Sequence, residues 1–108
     1  MTAFSSKADL GAVGPGNLWE AVAMLSRVQE QQAVALREAD RVRLRRLLSE
    51  QAVAWAFVRG FAEQLVERGE APPGMVERLR RALKIREERE TELREAYGRL
   101  DERMRQAA

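Results

Sequence analysis

The stretch LRRLLSEQAVAWAFVRGFAEQLVERGEAPPG, residues 44–74, decides the fold class. Leu44, Leu47, Gln51, Ala54, Val58, Phe61 and Leu65 recur at steps of three and four, which sets them on one face of an α-helix. Leu48, Ala52, Trp55, Ala62 and Val66 form a neighbouring row, expected to widen the buried face. The run stops at Gly69 and Pro72-Pro73-Gly74. Glycine accepts the left-handed conformation that closes a helix, and proline has no N–H with which to extend one. A connection this short joins antiparallel neighbours.

On the far side of the turn a second stripe runs through Val76, Leu79, Leu83, Arg86, Glu90, Leu93, Tyr97, Leu100 and Met104, again at steps of three and four. Four i,i+4 pairs of opposite charge support this helix from outside, namely Glu77–Arg81, Glu90–Arg94, Glu95–Arg99 and Asp101–Arg105. Upstream, Leu18, Val22, Leu25, Leu36 and Ala39 share a face whose middle is polar, at Gln29 and Gln32. Asn17, with Glu20 three residues on, is the expected N-terminal cap of that helix. Near Asp40 the pattern is open. Asp is a good cap for a new helix, but a continuous 3.6-residue period also joins Leu36 to Leu47. A kink or break at residues 38–41 is the favoured reading. The polar positions Gln29 and Gln32 would meet Arg86 and Glu90 at mid-length if their two helices pack antiparallel.

The predicted architecture is all-α, an antiparallel helical hairpin or three-helix bundle with a long charged C-terminal helix. A flexible tail is expected over residues 1–16, and one helical domain over residues 17–108, with helices at about 18–38, 41–68 and 74–105. A chain of 108 residues suffices for a single domain with a modest core. No strand-forming alternation is present, and 33% of residues are charged against 45% apolar, a balance suited to amphipathic helices.

The composition also removes chemistry. With no Cys and no His, thiolate zinc sites, cysteine nucleophiles and imidazole bases are all excluded. The acidic group Glu87, Glu88, Glu90 and Glu92 lacks the Glu-x-x-His pattern of a bundle di-metal centre. No glycine-rich loop opens a helix in a phosphate-binding context. No catalytic residue, cofactor or metal is therefore expected. Nor is membrane insertion, because no apolar run reaches spanning length, and the expected location is cytoplasmic.

Net charge is only +2, from nineteen basic and seventeen acidic residues. Arg41, Arg45 and Arg46, together with Arg78 and Arg81, form a candidate patch for an anionic partner. Interspersed acids dilute that field, so nucleic acid is disfavoured as the partner. Leu93, Tyr97, Leu100 and Met104 read either as bundle core or as a groove that captures another helix. Gly98, inside the same helix, would leave room for a partner to approach.

The stretch Leu25…Gln29-Glu30…Ala35-Leu36-Arg37-Glu38-Ala39-Asp40…Leu44…Leu47-Leu48-Ser49-Glu50-Gln51 resembles the early region of the flagellar export chaperones of the FlgN and FliT types. There one helix ends in a small residue plus Asp and another begins. The long charged C-terminal helix carrying a single Tyr is also similar, and the resemblance extends over residues 18–105. It implies a cytoplasmic protein of the flagellar type III secretion system that binds the C-terminal helical segment of a hook-junction or cap subunit. By that resemblance Tyr97 is the contact residue, flanked by Leu93 and Leu100. Two features depart from the family pattern: the last helix carries no Asn, and the chain is slightly basic. The alternatives are a small nucleic-acid-associated helical subunit using the Arg clusters, and a coiled-coil module that homodimerises.

Overall fold

A computed structural model describes residues 14–107. Among the described residues there are three helices: α1 (Pro15–Arg37), α2 (Arg41–Glu67) and α3 (Met75–Ala107). They pack on one another as an all-α bundle, and the described residues contain no strand. The expected tail lies, for residues 1–13, outside the described residues.

Helix α1 begins earlier than expected. Gly14 is the N-cap and Pro15 occupies the first turn, where its fixed φ suits a helix and its missing N–H costs nothing. Asn17 is therefore not the cap but the third helical residue. Its side-chain oxygen accepts a hydrogen bond from the Gly14 N–H at 3.0 Å, the reach-back half of a capping box.

The chain does break before Asp40. Ala39 N–H bonds to the Leu36 carbonyl at 3.1 Å and Asp40 N–H to the Ala35 carbonyl at 2.9 Å. That pair of bonds is a Schellman closure, and it requires a left-handed residue between the helices. Ala39 supplies it with φ of 55°. Asp40 then caps α2, its carboxylate accepting the Arg43 N–H at 3.1 Å. The end of α2 repeats the closure through Gly69, with φ of 66°, and its bonds to Val66 and from Glu70 to Leu65.

The seven residues of the α2 stripe are all buried, Gln51 among them. Two apolar clusters share the core. At one end Leu18 and Ala21 meet Val58, Phe61, Leu65, Met75 and Leu79. At the other Val28 and Ala35 meet Leu44, Leu47 and Leu100, with Leu36 and Tyr97 packed alongside. These partners fix the directions: α1 is antiparallel to α2 and parallel to α3.

Between the clusters lies a polar layer. Gln29 Nε2 donates to the Arg86 carbonyl at 3.0 Å, and Arg86 donates to Ser26 Oγ at 2.6 Å. The polar positions of the first and last helices thus meet, but across a parallel pair and not an antiparallel one. The reason is topological: the chain reverses twice, once after α1 and once after α2, and two reversals return α3 to the direction of α1.

A second correction concerns α3. Although the Pro72-Pro73-Gly74 turn reverses the chain, the α3 backbone packs against α1, and no Cα of α3 comes within 8 Å of one in α2. The row expected to widen the buried face of α2 is consequently open. Leu48 is 43% exposed and Val66 59%, Ala52 is exposed, and Trp55 and Ala62 are only half-buried. On α3, Met75 takes the buried place expected for Val76, which lies exposed.

Candidate functional site

Because α1 holds both other helices while they stand apart, a groove runs between α2 and α3 with α1 as its floor. Side chains bridge it at two points. Trp55 Nε1 donates to Glu90 Oε2 at 2.7 Å, and Arg41 pairs with Asp101. Glu90 is fixed from its own helix as well, since Arg94 reaches its other oxygen at 2.7 Å.

Between those bridges the groove deepens into a cavity of about 130 Å³. Gln32 and Leu36 form its floor; Leu44, Leu48 and Gln51 form the α2 wall; Glu90, Leu93, Arg94 and Tyr97 form the α3 wall. Five of these nine residues are aliphatic or aromatic, and four, Gln32, Gln51, Glu90 and Arg94, are polar or charged.

The four residues expected to bind a partner separate in the structure. Leu93 and Leu100 are buried, and Leu100 belongs to the apolar cluster with Leu44 and Leu47. Tyr97 is half-buried on the cavity wall, and Met104 is 38% exposed two turns beyond. The floor and α2 wall of the groove, Gln32, Leu36, Leu48 and Gln51, were not among the predicted site residues. Their spacing marked them as helix-face residues, but nothing in a single helix's pattern says that α3 stands off from α2.

The arginines do not converge. Arg41, Arg45 and Arg46 start α2, beside the end of α3, while Arg78 and Arg81 start α3, beside the end of α2. Arg41 is engaged with Asp101, and the Arg78 guanidinium lies over the Trp19 ring at 4.2 Å. Two clusters at opposite ends of an elongated bundle do not make one anionic-partner face. In the acidic group, Glu90 is taken by Trp55 and Arg94, and Glu92 pairs with Arg89 at 3.6 Å. No helix among the described residues is long and apolar enough to cross a membrane. Gly98 is exposed, and a Cβ built there would meet nothing within 4 Å.

Fold and groove together define an all-α bundle with a lined channel between two of its three helices. Compared with family models, curated proteins and solved structures, the chain matches none of them.

Proposed function

We propose that this protein is a binding adaptor that seats a helical segment of a protein partner in the α2–α3 groove. One observation carries the reading: α2 and α3 present apolar side chains towards a space that neither helix fills. Leu48 on α2 and Tyr97 on α3 line that space and remain exposed and half-buried, respectively. An amphipathic helix laid between them would bury these side chains as a groove-binding helix does. Each aliphatic side chain fully covered is worth about 1.5–3 kcal/mol before the entropy of association is deducted.

The resemblance to the FlgN and FliT types makes the C-terminal segments of hook-junction and filament-cap subunits the first partners to test. In that role the protein is a cytoplasmic export chaperone. The test is titration calorimetry of the full chain against those segments from the same organism. Saturable binding that persists in moderate salt supports the chaperone role, because an apolar groove is not screened as phosphate contacts are. Absence of binding to every such segment removes that role. Loss of wild-type binding in Leu48→Glu, with helicity retained, assigns the contact to this groove.

A further inference from the structure

The cavity in the groove is not wholly apolar, and its polar groups are incompletely matched. Gln32 is 2% exposed and Gln51 6%, one on the floor and one on the α2 wall. The side-chain oxygen of each lies buried without a hydrogen-bond partner. Buried acceptors left in this state disfavour the free protein, and native bundles hold few of them. Leu at both positions would continue the stripes Val28–Ala35 and Leu47–Ala54 and seal the core. Nothing in the fold requires an amide at either place.

We infer that the occupant of the groove brings a carboxamide side chain, Asn or Gln, to Gln32 and Gln51, flanked by apolar residues one helical turn to either side. This rests on the helix-docking reading and names the chemistry the groove selects. An amide –NH2 carries two donors and a hydroxyl one, so a single carboxamide can satisfy both oxygens once the Gln32 and Gln51 side chains turn them from their buried positions towards the cavity. Lys or Arg also donates, but it would bring a full charge to a wall whose one carboxylate, Glu90, already answers to Trp55 and Arg94. The flanking apolar side chains would settle against Leu44 and Leu48 on one wall and Leu93 and Tyr97 on the other. A single polar contact in an apolar seam sets the register of the docked helix, as a buried Asn does in a coiled coil.

The experiment titrates the full chain with synthetic helical peptides that share one Leu-lined face and differ only at its centre, which is Gln, Asn, Leu or Lys. The better of the two carboxamide peptides is expected to bind the wild type at least about tenfold more tightly than the Leu peptide. In the Gln32→Met/Gln51→Met variant, which keeps side-chain length and removes both acceptors, that order reverses. A Leu or Lys peptide that binds the wild type as tightly as the carboxamide peptides overturns the inference and leaves helix docking standing. A carboxamide preference that survives the double substitution overturns it also. If none of the peptides binds the wild type, helix docking and the inference fall together. Should the double variant lose its helical circular dichroism, Gln51→Met alone is put through the same comparison.

Discussion

Ala39→Gly tests the turn on which the three-helix topology depends, and its sign separates two incompatible structures. In the turn, Ala39 has φ of 55° and an exposed side chain. The left-handed conformation costs an L-residue about 1–2 kcal/mol through the clash of Cβ with the following carbonyl. Glycine removes that cost but gains about 0.4–1 kcal/mol of unfolded-state entropy to be overcome. Since the Ala39 methyl is exposed, little packing is lost, and the net is a stabilisation of about 0.5–1 kcal/mol. For a domain of this size that raises the melting temperature by about 3–6 °C. Were α1 and α2 one continuous helix, the same substitution would put glycine in a helix interior and destabilise by about 1 kcal/mol. Gly69→Ala is the mirror control. Gly69 closes α2 with the same hydrogen bonds at φ of 66°, and a Cβ there would meet nothing within 4 Å, so its cost is conformational. It should destabilise by about 0.5–1 kcal/mol. The assay is urea unfolding followed by far-UV circular dichroism, read as a midpoint shift at unchanged slope. A neutral or destabilising Ala39→Gly refutes the left-handed turn and with it the placement of Asp40 as a cap.

Further outcomes follow from the same contacts. Asp40→Ala should cost about 1 kcal/mol by removing the acceptor of the Arg43 N–H, while Asp40→Asn should retain most of the stability; both are read in the same urea assay. Leu100→Ala should destabilise by about 2–5 kcal/mol because Leu100 is a 5% exposed core residue, and Met104→Ala, at an exposed site, should stay within about 0.5 kcal/mol of wild type in thermal melts. Gly98→Ala should stabilise the free protein by about 1 kcal/mol through helix propensity alone, and calorimetry on that variant would show whether a partner needs the space.

Which parts of this structure could be read from sequence follows from what helical periodicity encodes. It names the inward face, and on α2 the stripe Leu44 to Leu65 is the buried face residue for residue. Gly69 closes α2 in the left-handed conformation and Pro72-Pro73 keep the helix from resuming, local effects that need no tertiary information. The break at Asp40 was legible only as an option, because its left-handed residue is Ala and not Gly. The start of α1 was misplaced because Pro15 and Gly16 read as tail residues, although proline in a first turn is favourable. Least legible was the groove. Leu48, Ala52, Trp55, Ala62 and Val66 carry the same signal as a buried row, and only the lean of α3 towards α1 leaves them open.

The lean has a basis in the polar layer. Arg86 ties α3 to α1 through its backbone carbonyl, which takes Gln29, and through its guanidinium, which takes Ser26. Towards α2 the same stretch of α3 offers Glu90, whose carboxylate must reach a tryptophan N–H across the gap. A backbone carbonyl that accepts from a neighbouring helix's side chain puts one side chain between the two helices, whereas a Glu–Trp bridge puts two long side chains between them and holds them further apart. The groove is thus a consequence of which polar groups sit at residues 26, 29, 55, 86 and 90. Trp55→Leu should therefore loosen α3 from α2 while leaving it on α1, a change visible as faster amide exchange over residues 88–100 and unchanged protection in α1. Equal loss of protection in α1 and α3 would mean that the Trp55–Glu90 bridge supports the whole bundle and that the groove is not separately adjustable.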